Sequence, residues 1–338
     1  MRAMLLPRLV SLGGNEAPLE ARDVPAPTPG PRDVLIRVSV CGVCHTELDE
    51  VEGRTPPPKL PVVLGHQVVG RVAERGLESR RFEIGDRVGV GWIHSSSGET
   101  DENTSPCFQA TGRDVHGGYA EFMTVPEEYA YPIPAAFTDE EAAPLLCAGA
   151  VGYRALKLCT LGEAPRLGLT GFGASAHLVL PLARHLDPAT CCYVFARNAE
   201  QRELARHLGA DWVGDTADRA PEKLDAVIDT TPAWRPVVEA LANLRPGGRL
   251  VINAIRKTDS DKASLLELDY EEHLWMEKEI KTVANITRSD IADFLTLAAA
   301  AGLRPQVKSF PLGEAKRAVQ IIKQGGLRGA IVLKIGDG

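Results

Sequence analysis

The hydrophobic pattern changes character near residue 150. Before it, short apolar segments such as DVLIRVSV (33–40), VVGRVAE (68–74) and DRVGVGWI (86–93) are separated by Gly, Pro and Asp. Runs of that length bounded by turn residues predict strands, so the region reads as all-β. From about residue 151 the segments RLGLTGFG, ASAHLVLPLARHL, CCYVFA, EQRELARHLGA, KLDAVIDTT, WRPVVEALANL and RLVINAI follow one another. Strand patterns here alternate with helical ones, which predicts a parallel sheet covered by helices. Beyond residue 285, SDIADFLTLAAAAG and GEAKRAVQIIKQGG predict helices and GAIVLKI a closing strand. No repeat or low-complexity tract interrupts the chain.

A length of 338 residues favours two domains. With 44% apolar and 25% charged residues, the composition is that of an ordinary globular protein. The net charge of -7 and the scattered Lys and Arg residues exclude a basic footprint for nucleic acid or an anionic membrane. No apolar run reaches the roughly 18 residues that a spanning helix needs, and MRAMLLPRLV lacks the zones of a secretory leader. Seven cysteines without regular spacing argue for a reducing cytoplasm rather than a disulfide framework. Small-molecule chemistry is the expectation that remains.

Gly171-Phe172-Gly173-Ala174-Ser175-Ala176 lies between a predicted strand and a predicted helix, the setting that the G-x-G-x-x-G/A dinucleotide fingerprint requires. Gly171 permits the tight turn, Gly173 the approach of a pyrophosphate, and Ala176 close helix packing. The helix start offers free N–H groups to the phosphates. Pro181 removes one donor inside that helix and predicts a kink or a shortening. At the end of the second strand, where an NAD site places an acid on the ribose 2′-hydroxyl, Ala196 stands, followed by Arg197. A guanidinium there suits a 2′-phosphate, which favours NADP(H) with NAD(H) also possible. The alternative is that Arg197 is a solvated turn residue.

Cys44, His66 and Cys147 form a Cys2His set of the kind that holds a catalytic zinc and leaves one position open. Taken singly, Cys147 reads equally as a small buried hydrophobe, and His66 as a structural residue.

In order along the chain, CGVCHTELDE, LPVVLGHQVVGRV, GDRVGVGWIHS, GGYAEF, APLLCAGAVGYRALK and GFGASAHL resemble the zinc-containing alcohol dehydrogenases of the medium-chain dehydrogenase/reductase superfamily. The resemblance covers nearly the whole chain. It implies an α/β fold in which a GroES-like β-rich catalytic domain (1–150 and 285–338) carries an inserted Rossmann domain (151–284). It also implies Cys44, His66 and Cys147 as ligands of one catalytic zinc, Thr46 as the group that passes the alcohol proton onward, and Glu47 as the acid that orients His66. His45 and Arg328 would meet the cofactor pyrophosphate. Trp92 falls where the family places an aromatic in the alcohol pocket, although ordinary packing explains it equally well. The activity implied is Lewis-acid-assisted hydride exchange between a primary or secondary alcohol, or an aldehyde or ketone, and a nicotinamide dinucleotide. A homodimer or homotetramer joined through Rossmann sheet edges is expected by the same analogy.

Several positions depart from the family pattern. Ser97, Thr100 and Asn103 occupy the first three places of the lobe that usually binds a second, structural zinc through four cysteines, and the lobe is shortened toward Ser105. Hydroxyl and amide groups do not replace thiolates, and Cys107 is left alone, so no structural zinc is expected. Gln67 replaces the usual Glu after the ligand His, which makes the surroundings of the metal less negative. Asp49 replaces the His that commonly ends the proton relay, and a carboxylate is a weak base at neutral pH. Val151 replaces a Thr beside the nicotinamide. Two other readings stay open: a zinc-free quinone or enoyl reductase of the same fold, and a cofactor-binding homologue without catalysis.

Overall fold

A computed structural model describes residues 1–13, 18–325 and 329–336 of the chain. The chain divides into two compact units, Met1–Ala150 with Asn285–Gly338, and Val151–Ala284.

The first unit is built on the 11-residue strand Asp33–Val43, in which Arg37 alone is exposed. It pairs antiparallel with Val68–Arg75, Phe122–Pro126 and Ala330–Lys334, so the closing strand of the chain returns to the β-rich part. The register against Val68–Arg75 shifts twice, at Leu35/Ile36 and at Val38/Val40. Such bulges bend a strand and raise its twist, which carries the end at Val43 round to the residues that follow. Arg87–Val90 and Ala130–Pro132 extend the sheet on one side and Val307–Pro311 on the other.

The unit also contains helices that the β-rich reading of 1–150 passed over. His45–Val51 is seven residues long, too short for a helical period to show, and its N-cap is a cysteine rather than one of the residues that mark helix starts. Asp139–Pro144 opens with a capping box in which the Glu141 amide donates to Thr138 Oγ1 at 3.2 Å and the Thr138 amide to Glu141 Oε2 at 2.9 Å. That signal was legible in T-x-x-E.

The second unit is a six-stranded, wholly parallel sheet with strand order Trp212–Gly214, Cys191–Phe195, Arg166–Thr170, Leu224–Asp229, Leu244–Ile252, Glu279–Thr282. The order reverses between Arg166–Thr170 and Leu224–Asp229, and in a doubly wound sheet ligands enter at that point. Tyr193, Phe195, Leu224, Val227, Val237, Leu241 and Leu250 are buried together beneath the helix Arg235–Asn243. Pro181 does not end its helix, which runs on from Ala176 to Leu186. No helix among the described residues is long and apolar enough to cross a membrane.

The helix His45–Val51 is anchored at its far end by Glu52. Its carboxylate receives Lys323 Nζ at 2.6 Å and the Leu12 amide at 3.0 Å and pairs with Arg54. Burial opposes its ionisation, but these partners prevail and hold the carboxyl down at about 2. In an unfolded chain a Glu titrates near about 4.3, so the stabilisation is complete above that pH and is lost as pH falls through the folded value. Glu52→Gln is expected to cost about 1–2 kcal/mol at neutral pH and to flatten the stability curve between about pH 5 and pH 2, read from urea midpoints.

Candidate metal and dinucleotide sites

Three irregular pieces of backbone deliver three donors to one point. Cys44 lies at the end of the central strand as N-cap of His45–Val51, and its Sγ accepts the Thr46 N–H at 3.3 Å. The Glu47 carboxylate accepts the Cys44 N–H at 2.8 Å, closing a capping box with a sulfur in place of the usual oxygen. His66 follows Gly65, whose φ is +96° and where a Cβ would stand 2.4 Å from the Tyr119 ring and 2.7 Å from Cys41 Sγ. Only glycine fits that turn, for steric and conformational reasons together. Cys147 sits in the wide turn Leu145–Gly149 that continues the helix Asp139–Pro144; such π-type turns recur at functional sites. Ligand atoms of Cys44, His66 and Cys147 all lie within 4.8 Å of one another, and among the described residues no other His, Cys, Asp or Glu group has this geometry.

His66 Nε2 is 3.1 Å from Cys147 Sγ and 3.7 Å from Cys44 Sγ, so that nitrogen faces the centre. Its Nδ1 is 2.6 Å from Glu47 Oε1, close enough for a strong charge contact although off the line of a good hydrogen bond. A hydrogen bond with Cys147, then burial, then the charge of Glu47 hold the Cys44 thiol well above its ordinary value. Burial opposes protonation of His66, but Glu47 and Cys44 outweigh it and push the imidazole up. Burial likewise opposes ionisation of Glu47, yet His66 and the Cys44 amide bring its carboxyl down. Two thiols and a buried imidazole backed by a buried carboxylate thus converge, and the donor set and its separations fit a tetrahedral zinc.

Thr46 is half-buried on the same helix, and His45 is exposed at its first position. Asp49 is buried with its carboxylate 2.6 Å from Arg54 Nε. Trp92 stands beside His66, with ring centroids 5.0 Å apart and planes at 81°. Gln67 is buried with its side chain laid against the backbone of Gly42. Sequence reasoning missed Glu50, which is buried with neither oxygen hydrogen-bonded. Burial and the charge of Glu47 raise its carboxyl well above the usual range. An apolar residue would serve the same helix face, and no motif marks this position.

In the second unit the strand Arg166–Thr170 ends in the turn at Gly171, with φ +74°, and the helix Ala176–Leu186 begins five residues later. A Cβ on Gly171 would meet Thr231 Cγ2 at 2.8 Å and Thr230 Oγ1 at 3.0 Å, whereas beside Gly173 nothing lies within 4 Å. Ala176 is fully buried. Ala196 is buried at the end of Cys191–Phe195 and Arg197 is exposed. Arg202, which the fingerprint does not include, donates to the carbonyls of Ala196 and Arg197 at 2.5 and 3.0 Å and pairs with Asp215. A buried Asp229 paired with Lys257 braces the neighbouring strand end: Thr231 Oγ1 and Thr170 Oγ1 donate to the carboxylate at 2.8 and 3.1 Å, and Lys257 Nζ reaches the Thr231 and Ala233 carbonyls at 2.9 Å. The run D-T-T after an apolar strand was the available signal. Arg328 lies outside the described residues.

Residues 30–135 match the model of the alcohol dehydrogenase GroES-like domain, and residues 208–333 that of the zinc-binding dehydrogenases. Probable alcohol dehydrogenase AdhA of Mycobacterium tuberculosis is 40% identical over 329 residues, which cover 94% of this chain and 93% of that protein. This chain belongs to the zinc-containing alcohol dehydrogenases of the medium-chain dehydrogenase/reductase superfamily. An alcohol dehydrogenase of Geobacillus stearothermophilus is 30% identical over 94% of the chain and 96% of its own length. The crystal structure of the alcohol dehydrogenase from the archaeon Aeropyrum pernix superimposes with a TM-score of 0.84 at 26% identity, covering 99% of this chain and 100% of that one.

In this alcohol dehydrogenase the lobe around residues 97–105 is tied by polar side chains. Glu102 is buried, its Oε1 accepting the Arg288 N–H at 2.6 Å and its Oε2 lying 3.1 Å from Arg288 Nε. Tyr129 OH reaches Glu102 at 3.2 Å, Ser96 Oγ donates to the Glu102 carbonyl at 2.7 Å, and Arg288 Nη2 donates to the Gly98 carbonyl at 2.6 Å.

Gly65→Ala places a methyl against the Tyr119 ring in a left-handed turn. It is expected to cost the alcohol dehydrogenase about 2–4 kcal/mol, measured as a shift in denaturant midpoint at constant m-value. A change below about 0.5 kcal/mol would show that the turn relaxes without this constraint.

Proposed function

We propose that this alcohol dehydrogenase holds one catalytic zinc on Cys44, His66 and Cys147 and uses NADP(H) in preference to NAD(H). Exchange of a hydride between a primary or secondary alcohol, or its aldehyde or ketone, and a nicotinamide cofactor is the reaction of its family. The convergence of three donor atoms within 4.8 Å, with Glu47 behind the imidazole, carries the zinc reading. When bound, zinc supplies Lewis-acid polarisation of the substrate oxygen.

The side chains do the rest. Glu47 keeps His66 in the tautomer with Nε2 free to ligate. Thr46 takes the alcohol proton at its hydroxyl. Asp49 accepts it next, its buried carboxylate held in place by the ion pair with Arg54. Trp92 forms one wall of the alcohol pocket beside His66. Gly171, Gly173 and Ala176 receive the pyrophosphate, aided in this reading by His45 and Arg328. The lobe tied by Glu102 and Arg288 holds no second zinc, since its Ser97, Thr100 and Asn103 offer no thiolate.

The edge strand Glu279–Thr282 is exposed throughout, its Ile280 at 49%, and Trp275 just before it is 53% exposed. A strand paired on one side alone, with exposed apolar residues, supports association with a second copy, giving a homodimer or homotetramer. Seven free cysteines support residence in a reducing cytoplasm.

Elemental analysis of the purified protein is expected to give about one zinc per chain, and two would overturn the account of the lobe. Cys147→Ser is expected to lose zinc and alcohol oxidation while the fold survives, and unchanged turnover would overturn the ligand assignment.

Cofactor choice rests on the end of Cys191–Phe195. Ala196 offers no carboxylate to a ribose 2′-hydroxyl, while Arg197 is exposed there and Arg202 lies against the carbonyls of both residues. A charge-assisted contact to a 2′-phosphate is worth about 1.5–3 kcal/mol, which corresponds to a KM for NADP(H) at least tenfold below that for NAD(H). Ala196→Asp with Arg197→Ile is expected to reverse the order. A clear preference of the unaltered enzyme for NAD(H) at one ionic strength would overturn it.

A further inference from the structure

The ring of Trp92 is held at both ends. It stands nearly perpendicular to the His66 imidazole with ring centroids 5.0 Å apart, and its indole Nε1 donates to Asn285 Oδ1 at 3.0 Å. The same amide uses its other end: Asn285 Nδ2 donates to the Asn103 carbonyl at 2.8 Å. Orientation of this amide is determined by its partners, because an indole N–H can only donate and a carbonyl can only accept.

Asn285 is also exceptional in its backbone. Its φ is +52°, in the left-handed region, where Asn is among the few residues other than glycine that settle readily. Three residues on, Arg288 holds Glu102 and Gly98. The lobe at residues 97–105 is therefore joined to the segment 285–288 at two places, and Asn285 extends that junction to the ring beside His66.

We propose that Asn285 is a positioning residue that fixes Trp92 against His66 and so sets the size of alcohol the enzyme accepts. The inference rests on the reading of Trp92 as a wall of the alcohol pocket. Lobe, Asn285, Trp92 and His66 form one chain of contacts, in which the lobe steadies the pocket wall through the Asn103 carbonyl. A freed indole swings from the wall and admits bulkier substrates, such as aryl or branched secondary alcohols.

The variants separate the two bonds. Asn285→Gly keeps the left-handed backbone and removes both, whereas Asn285→Asp keeps the acceptor for the indole and loses the donor to Asn103. Asn285→Gly is expected to shift the ratio of kcat/KM for a bulky aryl alcohol over a short primary alcohol about five- to twentyfold toward the bulky one, and Asn285→Asp about threefold at most. In a Trp92→Phe background, which has no indole donor, Asn285→Gly should shift the ratio no further. A direct readout that does not depend on turnover is the indole N–H of Trp92 in protein labelled at tryptophan, assigned by its loss in Trp92→Phe. Its solvent exchange is expected to accelerate in Asn285→Gly and to stay slow in Asn285→Asp. An undiminished shift in the Trp92→Phe background, or unchanged N–H exchange in Asn285→Gly, overturns the role of Asn285. An unchanged alcohol profile in Trp92→Ala overturns instead the reading of Trp92 as the wall.

Discussion

The site depends first on the capped turn at Cys44. A strand that ends at Val43 must hand over to a helix within one residue, and the first turn of that helix exposes unpaired N–H groups. Here the thiol of Cys44 and the carboxylate of Glu47 satisfy them. Because the cap is also one of the three clustered donors, the backbone that starts the helix aims the sulfur. Because the reciprocal acid, Glu47, is the partner of His66, the same helix start orients the imidazole. One helix start of four residues therefore sets two of the three donors, and Glu52 at the other end of the helix ties it to Lys323 and Leu12.

The remaining donor positions come from equally local exceptions to regular structure. Gly65 lets the chain pass beneath the Tyr119 ring in a conformation closed to other residues, and this brings His66 to the thiols. Cys147 stands in a widened helical turn whose neighbours Leu145 and Leu146 are wholly buried. Two soft donors and an imidazole backed by a carboxylate suit a dication in charge as well as in spacing, so the electrostatics and the geometry support the same occupant.

In the other unit the same economy appears at the ends of parallel strands. The turn at Gly171 is closed by Thr230, whose hydroxyl donates to the Thr170 carbonyl, and by Thr231, which is held by Asp229, whose buried charge is met by Lys257. Such a pair adds little net stability against apolar packing, but it specifies one arrangement of the strand ends around the dinucleotide turn. In the first unit, Glu102 and Arg288 tie the lobe at residues 97–105 by an ion pair and hydrogen bonds, and these contacts reach as far as Asn285 and Trp92.

By itself the sequence determined the α/β class, the alternation of strand and helix after residue 151, and the residue types of the site. These properties are local: hydrophobic period, turn chemistry and the G-x-G-x-x-A run are each written within a few consecutive residues. The cysteines and the histidine could be named from the ordered resemblance, but their meeting could not be read from spacings of 22 and 81 residues. That meeting was decided by bulges in Asp33–Val43, by a left-handed turn and by a widened helix, each of which depends on what packs against it. Helix His45–Val51 was hidden because a thiol cap carries no sequence signature, and Arg202, Glu50 and Lys257 because their partners are brought near only by the folded chain. The place of Asn285 was the least legible. Its two hydrogen bonds reach back 182 and 193 residues, and only the tertiary structure brings those segments side by side.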